Sequence, residues 1–169
     1  TAGDNAFGTP TKFYSRNGGG NWNVNATWST DQVQKHNGAA ATSFPGINDI
    51  VIIGKNSALL ASTVTLTQAQ SCASLQIESG SVLDISSFAG SYFGMVVTHP
   101  NGNGLFRLTT TVTPANVPKI FTFPTGDFSE FNSNSGTTEF YDIVGATGAL
   151  YILPSNVTTY GNLMVAAKG

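Results

Sequence analysis

The stretch that decides the fold is residues 48–87, NDIVIIGKNSALLASTVTLTQAQSCASLQIESGSVLDISS. Within it, apolar residues recur in pairs two positions apart, and Gly, Ser and Asn residues separate the pairs. Alternation at a period of two is typical of half-buried strands, and the separating residues favour tight corners. The stretch therefore predicts short strands, built on Val51 and Ile53, Val64 and Leu66, Leu75 and Ile77, and Leu83 and Ile85, with a further pair at Leu163 and Val165.

The spacing of these pairs favours one arrangement of the strands. The separation of Ile53 from Ile77, like that of Ile143 from Val165, matches the length of one three-sided turn of a parallel β-helix. Each turn alone leaves an apolar face uncovered, so neighbouring turns must stack. We therefore predict an all-β fold, a short parallel β-helix, without helical segments. An antiparallel sandwich is the alternative, although no Asn-Gly or Asp-Gly hairpin turn stands between closely flanking apolar runs.

The chain divides into an irregular start and a regular remainder. Residues 1–46 contain Gly18, Gly19 and Gly20 beside Trp22 and Trp28, and are expected to form an aromatic N-terminal cap. Residues 47–169 are expected to form the β-helix turns. Three prolines, Pro114, Pro118 and Pro124, should restrict strands near them to short pieces. Because the sequence stops directly after an apolar pair, we expect it to be a fragment of a longer chain.

Composition excludes several classes of partner. Of the 169 residues, 40% are hydrophobic and only 9% are charged, against about 25% in typical soluble proteins. A net charge of -2 without a basic patch argues against a nucleic-acid partner. No apolar run approaches the roughly 20 residues of a membrane-spanning helix. The single cysteine, Cys72, is expected to be a buried apolar group.

Residues with catalytic or metal-binding chemistry are few and scattered. His36 and His99 each lack a second ligand at a spacing that suits zinc, and no cofactor-binding motif is found. The closest acidic pairs are Asp127 with Glu130 and Glu139 with Asp142, whose members would face opposite sides of a strand. We expect no catalytic, cofactor or metal site. Calcium held by loop oxygens around Asp127 or Asp4 remains an alternative.

Four segments carry a resemblance to a known group of proteins. They are NWNVNATWS at 21–29, FPGINDIVIIG at 44–54, SCASLQIESGSVLDIS at 71–86 and TTYGNLMV at 158–165. Together they resemble the opening module of large β-helical cell-surface proteins of Bacteroidota exported by type IX secretion, and the glycine-rich G8 module. The resemblance implies a right-handed parallel β-helix at the outer-membrane surface, within a long adhesin of the gliding machinery. Partners would then be the rest of that protein, surface polysaccharide and secretion-machinery proteins.

The matched segments assign roles to four residues. Trp22 and Trp28 occupy the aromatic positions, Asp49 the turn before the first strand, and Gly80 the corner between two strands. A tryptophan buries up to about 250 Å², so the pair could seal one end of the core, while Asp49 could accept backbone N–H groups. The alternative is a sugar-stacking platform made of Tyr14, Trp22 and Trp28.

These observations lead to one functional hypothesis with two alternatives. The first is a non-catalytic structural or adhesive module of a large secreted or cell-surface protein. The second is a carbohydrate-binding module that uses its aromatic side chains. The third is a polysaccharide-cleaving β-helix, which would need clustered acids and bases on one strand face. Arg107 is the one arginine on an expected strand, so that cluster is not foreseen.

Overall fold

The computed structural model describes residues 9–110, 118–142 and 150–166. Its helical segments are α1 (Ser129–Ser133) and two 3-10 helices, Asn25–Thr27 and Lys35–Asn37. Its strands are β1 (Lys12–Ser15), β2 (Gly19–Asn21), β3 (Trp28–Ser29), β4 (Ile50–Ile53), β5 (Thr63–Thr65), β6 (Ser71–Ile77), β7 (Val82–Asp84), β8 (Tyr92–Val96), β9 (Leu105–Leu108), β10 (Lys119–Ile120), β11 (Thr125–Asp127), β12 (Thr137–Tyr141), β13 (Tyr151–Ile152) and β14 (Asn162–Ala166).

The strands form two large sheets and one small one. The first sheet has the order β11-β8-β6-β4-β1-β3 and the second has the order β14-β12-β9-β7-β5-β2. The small sheet pairs β10 with β13. Successive strands from β4 to β9 alternate between the two large sheets, so each strand pairs with the next but one along the chain. Among the named strands, pairing is parallel except where β1 meets β3.

The apolar pairs of the decisive stretch face one shared core. Ile53 lies opposite Ile77 and Val51 opposite Leu75 in parallel register, and all four side chains are fully buried. Val64 and Leu83 are paired in the same way in the second sheet. The predicted inward orientation and the stacking of Ile53 on Ile77 are therefore confirmed. Cys72 is also fully buried, as expected.

The predicted fold class is wrong. The strands lie in two large open sheets and a separate small one, short helices accompany them, and the described residues do not close into a solenoid. One departure lies after β9, where β10 and β13 pair with each other rather than extending a large sheet. The antiparallel sandwich is not observed either, since β1 and β3 are the one antiparallel pair among the named strands.

The expected irregular cap contains regular structure. β1 and β3 join the first sheet and β2 joins the second, so the segment before residue 46 contributes strands to both sheets. The boundary between residues 46 and 47 stays a prediction. Strands β10 and β11, which directly follow Pro118 and Pro124, have two and three residues, as expected next to proline. Pro114 and Ile143 lie outside the described residues.

Two further expectations failed, one about burial in the second sheet and one about helices. Leu163 and Val165 are 44% and 52% exposed, although their alternation predicted burial. Their strand, β14, is the last in its sheet and pairs with β12 on one side, so no further described strand covers it.

The prediction that the chain has no helical segments was also wrong. The helix α1 follows Asp127, whose Oδ1 accepts the Ser129 N–H at 2.9 Å.

Candidate functional site

An open and largely apolar surface beside the first sheet forms a groove that we call the Tyr92 groove. Its lining residues are Ile47, Asn48, Ala73, Tyr92, Gly94 and Met95, and its volume is about 540 Å³. Ile47 is 59% exposed, Tyr92 40% and Met95 53%. The lining contains no charged side chain, so contact here depends on apolar burial, the Tyr92 ring and the Asn48 amide.

A local break in strand alternation produces the floor of this groove. In β6, Cys72 and Leu75 both face the core, which leaves Ala73 and Ser74 side by side on the outer face. The Asp49 carbonyl oxygen accepts the N–H groups of Ala73 and Ser74, at 2.9 and 3.3 Å. Two donors sharing one acceptor are typical of a β-bulge, which bends a strand and redirects its side chains.

The neighbouring strand β8 follows the same pattern. Its Phe93 and Val96 are fully buried, so Gly94 and Met95 lie on the outer face opposite the bulge of β6. A Cβ atom at position 94 would collide with the carbonyl oxygen of Ala73, so only glycine fits without a shift of the strands. The result is a shallow floor of small residues between the Tyr92 ring and the Met95 side chain.

The aromatic residues predicted to contact glycan lie elsewhere. Trp22 and Trp28 are fully buried and Tyr14 is 5% exposed. The two indole rings meet edge to face with centroids 5.2 Å apart, and Trp28 Nε1 donates to the Trp22 carbonyl oxygen at 2.6 Å. Tyr14 packs against His36, and burial raises the pKa of its phenol. No ring face of these three residues is open to a sugar in this structure.

Asp49 and Gly80 occupy the two turns that flank β4 and β6. Asp49 Oδ2 accepts the Gly46 N–H at 2.8 Å and its Oδ1 accepts the Thr11 N–H at 3.2 Å, which ties the turn to the segment before β1. Gly80 has a φ of 84° between β6 and β7, a left-handed conformation that favours glycine. Both residues therefore shape the backbone and neither faces the Tyr92 groove.

Charged residues that are distant in sequence form a row on the second sheet. Asp84, Arg107 and Glu139 are aligned on adjacent strands, with Arg107 Nε 3.0 Å from Glu139 Oε2 and 3.8 Å from Asp84 Oδ2. Tyr141 donates to Asp84 at 2.9 Å, and its ring lies 4.0 Å from the Arg107 guanidinium. Burial, followed by the Asp84 charge, raises the pKa of Tyr141 to about 12. This cluster was not foreseen, because its members are brought together by strand register.

A second polar group lies at the corner beyond β4. Glu78 accepts the Lys55 N–H at 2.7 Å and an Asn101 side-chain N–H at 2.8 Å. Burial opposes ionisation of Glu78, but these hydrogen bonds outweigh it and lower its pKa. Burial lowers the pKa of His36, whose Nδ1 lies 2.7 Å from the Ser15 carbonyl oxygen. Ser15 is fully buried, so its hydroxyl is inaccessible to a substrate.

Of the two aspartates predicted as alternative calcium ligands, the structure describes Asp127. Asp127 is the last residue of β11, where its carboxylate accepts the Ser129 N–H, and hydrogen bonding to Ser129 lowers its pKa. Asp4 lies outside the described residues. Across ranges 9–110, 118–142 and 150–166, no three His, Cys, Asp or Glu side chains come together as a metal site.

The comparisons with other proteins add no assignment. No protein-family model, curated protein sequence or solved structure matches the chain. In the part of the chain that the structure describes, no helix combines the length and the apolar character needed to cross a membrane.

Proposed function

We propose that this chain is a non-catalytic structural or adhesive module of a larger secreted or cell-surface protein. The observation that carries the proposal is the Tyr92 groove, an uncharged, exposed surface on a sheet whose opposite face is buried. Binding surfaces carried by a rigid scaffold lose little conformational entropy on contact. A groove of this kind is better suited to repeated weak binding contacts than to catalysis.

The structural part of the proposal is supported by the sheets. Parallel strands β4, β6 and β8 pair in sequence, and their inward side chains, such as Val51, Leu75 and Val96, are fully buried. One apolar core continues from the tryptophans to Phe140 on β12. Such a body can transmit load along a longer protein without an internal hinge between its described sheets.

The location and partners follow from the sequence resemblance. We propose an extracellular position at the outer-membrane surface, in a chain exported by type IX secretion and acting in adhesion or gliding. The remainder of that protein, secretion-machinery proteins and surface polysaccharide are the proposed partners. The low charge of the chain is compatible with such contacts, since uncharged glycans offer hydroxyl groups and apolar ring faces.

Carbohydrate binding is the second candidate, and the Tyr92 groove favours it. An exposed tyrosine ring offers a stacking face, Asn48 offers an amide donor and acceptor, and the small floor admits a flat ring. The groove supports this candidate with Tyr92 as the stacking residue in place of Tyr14, Trp22 and Trp28. An uncharged polysaccharide is the proposed ligand class.

The proposal is tested by a retention assay on beads coated with the purified chain. Wild-type beads should be retained on surfaces carrying uncharged polysaccharide, and the double variant Tyr92→Ala, Met95→Ala should lose most of that retention at an unchanged Tm. Leu60→Ala, at a 57% exposed residue outside the groove, is the matched control and should bind like wild type. If wild-type beads are retained on none of the polysaccharide-coated surfaces, the adhesive role is contradicted.

A parallel measurement tests the non-catalytic part. The chain is incubated with the same polysaccharides, and release of reducing or unsaturated sugars is followed. We expect no release above a heat-denatured sample. Release that is lost in Glu139→Gln would instead identify the charged row as a catalytic centre.

A further inference from the structure

A buried lysine and a buried aspartate meet beside the small sheet. Lys119 is in β10, and Asp142 directly follows β12. Lys119 Nζ contacts Asp142 Oδ2, and the two side chains are 0% and 1% exposed. Lysine is almost never fully buried, and here its amine is held against a single carboxylate oxygen.

An aromatic cluster adjoins this pair through Tyr151. Lys119 Nζ lies 5.9 Å from the centroid of the Tyr151 ring, and Tyr151 stacks on Phe121 at 6.1 Å. Phe121 in turn meets Phe140 at 5.0 Å. The Tyr151 hydroxyl donates to Asp142 Oδ2 at 2.9 Å. The carboxylate oxygen is thus held between an amine and a phenol at a buried site.

Such an environment disfavours two separated charges. Burying an ammonium and a carboxylate carries a large desolvation cost, and transfer of one proton from nitrogen to oxygen removes both charges. The products of that transfer are a neutral amine and a carboxylic acid in contact. Fixed contact of this kind raises the effective concentration of reacting groups by several orders of magnitude.

We propose that Lys119 and Asp142 condense into an intramolecular amide that cross-links β10 to the end of β12. The Lys119 nitrogen forms a bond to Asp142 Cγ, and the Cγ–Oδ2 bond breaks. The oxygen leaves as water, with one proton from the carboxylic acid and one from the amine. The step involves no oxidant, no reductant and no activated co-reactant.

Tyr151 is placed to donate a hydrogen bond to the leaving group. Its hydroxyl donates to Oδ2, the oxygen that leaves, at 2.9 Å and stabilises that oxygen as the Cγ–Oδ2 bond breaks. The hydrogen bond to Asp142, together with burial, raises the pKa of Tyr151 and keeps the phenol protonated. We therefore assign Tyr151 as the catalytic residue of this condensation.

The cross-link would close a loop that contains β11, α1 and β12. It would hold the small sheet to the second large sheet at the point where the chain departs from regular alternation. A covalent tie there prevents separation of these segments under load. This inference stands apart from the proposed function, since an amide can form whether or not the chain binds a surface.

Intact mass spectrometry of the purified full chain tests the cross-link. The wild-type mass should be lower than the sequence mass by one water molecule, and digestion should yield one branched peptide joining Lys119 to Asp142. Lys119→Arg keeps a cation but offers no comparable amine nucleophile, and it should show the full sequence mass. Tyr151→Phe should form the cross-link more slowly after refolding.

The wild-type result decides the matter even where a variant fails to fold. A folded wild-type sample whose whole population keeps the full sequence mass after prolonged incubation would overturn the proposal. Loss of water mapped to any other residue pair would overturn it equally.

Discussion

Trp28 donates its indole N–H to the carbonyl oxygen of Trp22, and the two rings meet edge to face inside the core. Trp22 directly follows β2 and Trp28 begins β3, so the contact joins these two segments. Trp28 also packs against Phe13 on β1, with ring centroids 6.5 Å apart. The pair is therefore a structural junction between the two large sheets.

Replacing Trp28 with Ala should lower the free energy of unfolding by about 3–5 kcal/mol, because it leaves a large cavity and removes a buried hydrogen bond. Urea unfolding followed by circular dichroism measures the loss. Val33→Ala, at a 90% exposed residue, is the control and should change stability by less than about 0.5 kcal/mol. A loss below about 1 kcal/mol in Trp28→Ala would show that the indole is not part of the core.

Gly94→Ala should destabilise the chain by about 1–3 kcal/mol, since the added Cβ collides with the carbonyl oxygen of Ala73 in the next strand. Gly90→Ala is the matched control, because a Cβ there would meet only the Ala69 side chain at 3.8 Å. Thermal unfolding of both variants gives the comparison. Equal melting temperatures for the two would contradict the close approach of β6 and β8.

Arg107→Leu should lower the free energy of unfolding by about 1–3 kcal/mol, because it leaves Asp84 and Glu139 without their shared cation. Adding Asp84→Asn and Glu139→Gln to that variant should recover part of the loss. Lys12→Leu, at an exposed cation, is the control. The row would have no stabilising role if Arg107→Leu unfolded at the same urea concentration as the control.

Acidification should destabilise the chain in two steps. Burial lowers the pKa of His36 and of His99 below the ordinary value of 6.5, so the folded chain holds fewer protons there than the unfolded chain. Stability is therefore complete above pH 6.5 and falls as the pH drops below it. The pKa of Glu78 lies below its ordinary value of 4.5, so its contribution is full above pH 4.5 and is lost through the lower folded value.

Melting temperature measured across this pH range checks both steps. The double variant His36→Gln, His99→Gln should lose the first step and keep the second. Stability that rises on acidification through pH 6.5 would contradict the burial of the two histidines.

Local alternation predicted part of this fold well. The pairs at Val51 and Ile53, and at Leu75 and Ile77, are buried and in register, because a two-residue period specifies which face turns inward. The same period failed at Leu163 and Val165, where the strand is an edge. Alternation predicts which residues of a strand share a face. It does not predict whether another element packs on that face.

Other features depended on contacts between distant residues. The bulge that places Ala73 and Ser74 side by side on the outer face of β6 involves hydrogen bonds to the Asp49 carbonyl oxygen, which no local pattern reports. The charged row of Asp84, Arg107 and Glu139 required knowledge of strand register. The short helix α1 was missed because no capping box marks its start. Its N-cap residue is Phe128, without a side-chain capping hydrogen bond, and the Glu130 carboxylate accepts the Thr98 N–H instead.

The most direct test of the account is NMR on a sample with labelled methyl groups of Ile, Leu and Val. Parallel pairing of β4 with β6 predicts through-space contacts of Ile53 with Ile77 and of Val51 with Leu75. Contacts of Val51 with Ile77 together with Ile53 with Leu75 would show antiparallel strands and would contradict the stacked sheets on which the Tyr92 groove depends.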